Sequence, residues 1–287
     1  MDKVAIVTDS AACLPEDVVR EYGIEVVPLR FIYAGKVYRD GIDITPDKIY
    51  RIFPRAKNLP TTSSPSPGNY YEALEKVAQK HSKVLVITLS SKFSMAFDSA
   101  KIAAKIAEEK LKNIVVEVVD CGTAAGAQGL VVLAAAKAAR VEGSLTKVTE
   151  VAKNVMSRVN LIAFLDTLYY LAKGGRVPRV VAWANSLVKI KPIFQIAPLS
   201  GEASIMKIVR TRPEAIKQLL ELVKEKVEGK SIHAIVMHSQ SLAEAENLKE
   251  RLVSHFLCDE IYISDFTPVM GIHTGPGVLG IAFYTDD

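Results

Sequence analysis

At 287 residues the chain is longer than most single domains, so two domains are expected. Its 49% apolar and 24% charged residues are typical of a globular protein with substantial cores. The formal net charge of +4 is too small to indicate nucleic acid or an anionic membrane as a partner, so we expect no nucleic-acid binding and at most transient membrane contact.

Buried strands alternate with helices in the first half of the chain. Short β-branched runs predict strands at 3–8, 83–89 and 113–120, each apolar on both faces. Apolar residues at helical spacing predict helices at 67–81 and 94–112, between and beside these strands. This alternation is typical of a parallel sheet covered by helices.

Two predicted hairpins add antiparallel strands. The first lies within 24–41 and turns at Ala34-Gly35-Lys36, and the second turns at Ser200-Gly201. Helices are predicted at about 212–228 and 241–254. The strands predicted in the second half cover 161–166, 189–198, 203–211, 231–238, 260–265 and 278–284. Because two of these strands form a hairpin, the sheet of the second half is expected to be mixed.

The two halves are joined by two consecutive helices. A helix rich in small residues is predicted to end at about Gly143, and a second helix is predicted to end at Val159. We therefore predict an N-terminal α/β domain with a parallel sheet at 1–159. A C-terminal α/β domain with a mixed sheet is predicted at 160–287.

Cysteine use and the lack of targeting signals indicate a cytoplasmic protein. Cys13, Cys121 and Cys258 show no ligand spacing, which predicts no metal site and indicates a reducing compartment. The N-terminus lacks the basic region and long apolar core of a signal peptide. The apolar run at 130–136 is too short to span a bilayer.

The motifs of nucleotide-binding proteins and of hydrolases are not found in the sequence. GPGVLG at 275–280 matches G-x-G-x-x-G, but it enters a strand, and the chain ends seven residues later. Neither a P-loop sequence nor a G-x-S-x-G elbow occurs. We therefore expect no nucleotide cofactor.

Polar clusters lie at the ends of predicted elements, where α/β proteins bind ligands. Asp9 and Ser10 follow the first strand, Ser91 follows the strand at 83–89, and Ser63 lies before a helix. Each cluster alone is better explained by helix capping. Their convergence on one sheet edge favours a site, in which these four residues are candidate supporting groups.

A basic segment covers residues 173–212, where eight Lys or Arg against one Glu give a local charge of +7. Its candidate contact residues are Arg176, in KGGRVPR, and Arg210 and Arg212, in VRTR. The segment is either a solvated edge or a surface that contacts phosphate or a protein partner. The two glycines before Arg176 are also typical of a helix C-cap.

Taken in chain order, these segments resemble the DegV family, which includes the FakB-type fatty-acid-binding proteins. The matching segments are VTDSAACLP, VVPLRF, TTSSPSPG, SSKFSMAFDSA, LYYLAKGGRV, KIKPIF and HTGPGVLGI. The chain departs from the family pattern at Ser64, where Gln is usual, and at Met95 and Ala96, where Gly and Thr are usual. Cys121 also replaces a common Ser.

The resemblance implies two α/β domains with a long-chain fatty acid bound between them. By the matching motifs, Thr62, Ser94 and His273 would hold the carboxylate, since hydroxyls and an imidazole can donate hydrogen bonds to it. We expect His273 in a stiff turn before the last strand, where glycines allow a close approach to the ligand.

The resemblance also implies a protein partner, a fatty acid kinase that uses ATP to convert the bound lipid to acyl phosphate. On this interpretation the chain is a carrier with no catalytic residue and no cofactor. The lack of a nucleotide motif agrees with catalysis by the partner.

Two other functions are considered beside the carrier. One is a serine hydrolase of lipid esters, with Ser94 as nucleophile, His273 as base and Asp9 orienting the base. No strained elbow flanks Ser94 and no oxyanion hole is apparent, which argues against it. The other is a small-molecule sensor or structural module without lipid.

Overall fold

The computed structural model describes residues 3–52, 59–176 and 190–286, which contain ten α-helices, one short 3-10 helix at Ser10–Ala12 and thirteen strands. The helices are α1 Glu16–Tyr22, α2 Pro46–Ile52, α3 Pro67–Ala78, α4 Ala96–Lys110, α5 Ala125–Val141, α6 Leu145–Arg158, α7 Tyr169–Gly174, α8 Arg212–Val227, α9 Leu242–His255 and α10 Pro268–Thr274. The strands are β1 Val4–Asp9, β2 Glu25–Val27, β3 Arg30–Tyr33, β4 Lys36–Arg39, β5 Thr61–Ser63, β6 Lys83–Thr88, β7 Val115–Asp120, β8 Asn160–Phe164, β9 Lys191–Ile196, β10 Ala203–Val209, β11 Ile232–His238, β12 Cys258–Asp265 and β13 Leu279–Thr285.

The strands form three sheets. A parallel sheet has the order β2-β1-β6-β7, and a mixed sheet has the order β10-β9-β8-β13-β11-β12, in which β11 and β12 are the parallel pair. Strands β4, β3 and β5 form a small antiparallel sheet. The predicted fold class, with a parallel sheet first and a mixed sheet second, is confirmed.

Local sequence explains the elements that position the site. Every residue of β1 is buried, as expected for a strand covered on both faces. Helix α3 begins with a capping box, in which the Ser66 hydroxyl accepts from the Asn69 amide and the Asn69 side chain accepts from the Ser66 amide. The β3–β4 hairpin turns at Ala34 and Gly35, as predicted, with φ values of 49° and 75°.

Helix α5 lies between the parallel and the mixed sheets and packs against β1, β11 and β13. Thirteen of its 17 residues are buried, so it has no solvated face. Two sheets can approach one helix this closely only where its side chains are small, which explains its many alanines and glycines. Because α5 contacts both sheets, the domain boundary at residue 159 stays a prediction.

We predict that Gly129→Ala destabilises the protein although alanine favours helices. A Cβ at Gly129 would lie 2.7 Å from the Ala12 carbonyl oxygen. This clash is expected to cost about 1–3 kcal/mol and to outweigh the gain of about 1 kcal/mol in helix propensity. Gly68→Ala is the control, because the nearest atom would be 3.6 Å away. Urea unfolding measures both, and equal stability of Gly129→Ala and the native protein would contradict the packing argument.

Four short helices, α1, α2, α7 and α10, are not predicted from the sequence. Each has six or seven residues, about two turns, which is too few for a helical spacing of apolar residues to be recognised in the sequence. The predicted strand at 189–198 is observed from Lys191. Arg179 and Lys189 of the basic segment lie outside the described residues.

Within the described part of the chain, every helix is too short or too polar to cross a bilayer.

Candidate functional site

A cavity of about 520 Å³ lies where the three sheets meet. Its wall is mainly apolar and combines residues from the end of β6, the start of α5, the mixed sheet and α10. Side chains that form this apolar wall include Leu89, Leu161, Leu165, Phe194, Ile205 and Met270. The volume lies within the range of about 300–1,000 Å³ found for small-molecule sites.

Hydroxyl, imidazole and guanidinium groups converge on one part of this wall. Thr62 Oγ1 in β5 lies 2.9 Å from His273 Nε2 in α10, although 211 residues separate them in the chain. Ser94 Oγ, just before α4, lies 2.8 Å from Ser64 Oγ. Arg176 Nη2 donates to Thr62 Oγ1 over 3.3 Å. The fold thus brings together Thr62, Ser94 and His273, which were predicted to share a site.

His273 lies in the last turn of α10, so its expected position in the turn before β13 is wrong. The following glycines pack closely against protein, because a Cβ at Gly275 would meet Tyr170 and one at Gly277 would meet Asp166. Their role is therefore to shape the chain after the helix. The imidazole itself is fixed by a helix rather than by a glycine-rich loop.

The hydrogen bonds of Thr62 leave its own proton free. Burial, with the positive charge of Arg176, lowers the pKa of His273 to about 4, so the ring is neutral near pH 7. Among the described residues its buried Nδ1 has no hydrogen-bond partner, so we assign the proton to Nε2, which donates to Thr62 Oγ1. Thr62 Oγ1 then accepts from both His273 and Arg176, and its O–H can donate to a ligand.

The serine pair offers a second donor. Ser64 Oγ accepts from the Met95 amide over 3.0 Å, and Ser94 Oγ accepts from the Ala96 amide over 3.2 Å. One serine donates to the other, so one O–H of the pair is left over. With Thr62, the site presents two hydroxyl donors, which suits a group with two acceptor oxygens.

Asp9 lies beneath the cavity and does not line it. Its carboxylate accepts from the Leu89 amide over 2.8 Å, from Gln128 Nε2 over 3.0 Å and from the Tyr70 hydroxyl over 3.3 Å. Burial raises its pKa to about 6, against the effect of these hydrogen bonds. Its partners do not include His273, so the orienting role in the hydrolase hypothesis is wrong.

Of the other three predicted supporting residues, one lines the cavity and two lie outside it. Ser63 lines the cavity. Ser10 lies outside it and donates to Asp40 Oδ2 over 2.5 Å. Ser91 is exposed and outside the cavity, with its amide donating to Asp120 over 3.2 Å, so its predicted support of the site is wrong.

The three arginines of the basic segment have different surroundings. Arg176 follows the left-handed cap residue Gly175 of α7 and lines the cavity. Arg212 uses all five of its N–H groups on protein oxygens, including Asp166 Oδ1 and the Gly277 carbonyl, both at 2.7 Å. It has no donor left for phosphate, so that prediction is wrong. Arg210 is exposed outside the cavity, and its contact with a partner stays a prediction.

Several cavity residues were not predicted as site residues. Ser64 was noted only as a departure from the family pattern, yet it completes the hydroxyl pair with Ser94. Its place in the cluster TTSS was the signal that could have found it. Phe93 and Ser204 also line the cavity, and no local pattern distinguishes them from ordinary surface or packing residues.

The sequence matches one protein family over almost its whole length. Residues 3–286 match the family model described as "Uncharacterised protein, DegV family". A DegV domain-containing protein of Clostridium perfringens is 32% identical over 281 residues, covering 98% of each chain. One from Halalkalibacterium halodurans is 32% identical over 288 residues, covering 100% of each.

Solved structures with the same fold include two described as fatty-acid-binding. A DegV family protein of Thermus thermophilus has a TM-score of 0.89 at 28% identity, covering 99% of this chain and 100% of its own. DegV of Bacillus subtilis has a TM-score of 0.88 at 29% identity, covering 100% of each chain. With its family model matched from residue 3 to residue 286, the chain belongs to the DegV family.

Proposed function

We propose that this protein binds one long-chain fatty acid, with the acyl chain in the apolar cavity and the carboxylate at the hydroxyls of Thr62 and Ser94, where His273 orients Thr62 and does not itself donate to the ligand. The observation that supports this most is a mainly apolar cavity wall that also carries a hydrogen-bonded cluster of hydroxyl and imidazole groups. Two relatives of the same fold are described as fatty-acid-binding. The protein needs no cofactor for this function.

The apolar wall supplies most of the affinity in this proposal. Burying each methylene is worth ~0.8 kcal/mol, so a chain of ~16 carbons gains on the order of 10 kcal/mol before ordering costs. Hydrogen bonds to the carboxylate add less, about 1–3 kcal/mol each. The tail therefore holds the ligand, and the two hydroxyl donors orient its head group.

The first test is the lipid content of the purified protein. Native and denaturing mass spectra are expected to differ by the mass of a long-chain fatty acid, at about one per chain, because a buried tail dissociates slowly. Delipidated protein should then take up oleate or palmitate. A protein that is purified empty and takes up neither acid would overturn the proposal.

We further propose that a fatty acid kinase acts on the bound carboxylate and forms acyl phosphate, and that the basic segment is its docking face. This partner rests on the resemblance stated above and on the charge of +7 at 173–212. Arg210 is exposed and lies outside the cavity, so it can contact a partner without touching the lipid. An acidic docking surface on the kinase would associate faster with this segment than with a neutral one.

Arg210→Glu is expected to leave lipid content unchanged and to lower the rate of acyl phosphate formation with kinase and ATP by about tenfold at low salt. Arg251→Glu is the matched control, since Arg251 is also exposed but lies in α9, outside the basic segment. Acyl phosphate formation is measured at several salt concentrations. Equal rates for both variants would show that docking does not use this segment.

A further inference from the structure

The position of the His273 imidazole depends on the backbone of α10. Nε2 bonds Thr62, while Nδ1 is buried and has no hydrogen-bond partner in the part of the chain that the structure describes. Functional histidines are usually oriented by a hydrogen bond on their second nitrogen, and this one has none. Its ring instead packs on Gly174, where a Cβ would lie 2.5 Å from Nδ1. The placement of the helix therefore sets where Nε2 points.

A buried carboxylate holds the first turn of that helix. Asp40 Oδ1 accepts from the Val269 amide over 2.8 Å, and Val269 precedes His273 by four residues, about one helical turn. Asp40 Oδ2 accepts from the Ser10 hydroxyl over 2.5 Å, and Ser10 Oγ accepts from the Leu29 amide over 3.0 Å. The carboxylate thus ties α10 to the segments that follow β1 and β2.

We propose that Asp40 is a positioning residue for the head-group end of the cavity, holding α10 so that His273 Nε2 meets Thr62. This inference rests on the proposed function, because a bound carboxylate is what the positioned groups would serve. Asp40 is 2% exposed and does not line the cavity, so it acts through His273 and not on the ligand.

Two substitutions separate this role from a general contribution to packing. In Asp40→Asn, the amide oxygen can still accept from the Val269 amide and the amide nitrogen can donate to Ser10 Oγ. In Asp40→Leu both hydrogen bonds are lost, and α10 is released from the segment after β1. Asp40→Ala supplies the same test if Asp40→Leu does not fold.

The ligand test compares oleate with oleyl alcohol, which has the same tail but no carboxylate. Asp40→Leu is expected to weaken oleate binding about tenfold and oleyl alcohol binding less than twofold, while Asp40→Asn stays close to the native protein. In a His273→Ala background, Asp40→Leu should have no further effect on oleate. Equal losses for both ligands, or a tenfold loss that persists without His273, would overturn the proposal.

A ligand-free measurement keeps this test separate from the proposed function. In delipidated protein, the imidazole ¹⁵N signals of His273 should shift in Asp40→Leu, because Nε2 no longer meets Thr62. They should stay unchanged in Asp43→Ala, which removes an exposed carboxylate bonded to Arg39. If the native protein binds no oleate, the proposed function fails while these signals still decide the role of Asp40. Unshifted His273 signals in Asp40→Leu would refute that role.

Discussion

Ile205→Trp is expected to weaken oleate binding by roughly 100-fold. Ile205 lies in the edge strand β10 and lines the cavity, so a larger ring there occupies space that the acyl chain needs. Displacing three to four methylenes at ~0.8 kcal/mol each amounts to ~3 kcal/mol, which corresponds to about two decades in Kd. Isothermal titration of delipidated protein with oleate measures the change.

The control for this variant is Ile208→Trp. Ile208 lies in the same strand, but it is 42% exposed and does not line the cavity. It should bind oleate as the native protein does. A shorter acid such as decanoate should lose less affinity in Ile205→Trp than oleate loses, because its tail fills less of the cavity. If Ile205→Trp bound oleate normally, the acyl chain would not lie in this cavity.

The neutral, buried state of His273 predicts a loss of stability on acidification. Its pKa is lowered to about 4 by burial and by Arg176, whereas an unfolded histidine has a value near 6.5. Between these values the unfolded chain binds a proton that the folded chain does not. Stability contributed by this group is therefore complete above pH ~6.5 and falls by up to ~3 kcal/mol as the pH drops to ~4.

Two buried carboxyls oppose this trend in the native protein. Burial raises the pKa of Asp9 and of Asp40 to about 6, so the folded chain binds their protons first and gains stability between pH ~6 and ~4. The stability of the native protein alone therefore does not isolate His273. The difference in free energy of unfolding between the native protein and His273→Gln isolates the contribution of His273, because Asp9 and Asp40 are present in both proteins.

Urea unfolding of the delipidated proteins from pH 4 to pH 7.5 measures this difference. The free energy of unfolding of the native protein, relative to His273→Gln, is expected to fall by up to ~3 kcal/mol from pH 6.5 to pH 4. His81→Gln is the control, because His81 is partly exposed near the protein surface and bonds the Lys3 carbonyl. A difference that does not change with pH would show that the folded protein takes up the proton on His273 as readily as the unfolded chain.

The sequence by itself determined the elements with a clear local pattern. The apolar runs that became β1, β6 and β7 were predicted within a few residues, as were the long helices α4 and α8. The prediction that β7 is buried on both faces is wrong, because β7 is an edge strand in which only Val119 is buried. Such elements are set by apolar periodicity and capping, which depend on neighbouring residues only. For the same reason, alternation of strands and helices was enough to predict a parallel sheet.

Sequence patterns predicted only part of the candidate site. Motif resemblance singled out Thr62, Ser94 and His273, and the structure places all three in the lining of one cavity. Their hydrogen-bond partners were not predictable. Ser64 stands in the same TTSS cluster as Thr62, but its contact with Ser94 is not visible there. Arg176 reaches Thr62 across 114 residues of sequence, and no local pattern records such a contact.

Tertiary structure also decided which polar residues stay out of the site. Asp9 and Arg212 look like functional groups in the sequence, but each makes its hydrogen bonds to other groups of the protein. A carboxylate or guanidinium must be paired wherever the fold buries it, and its partners come from distant strands and loops. The sequence shows which groups can donate and accept, whereas only the packed chain determines whether those bonds go to protein or remain for a ligand.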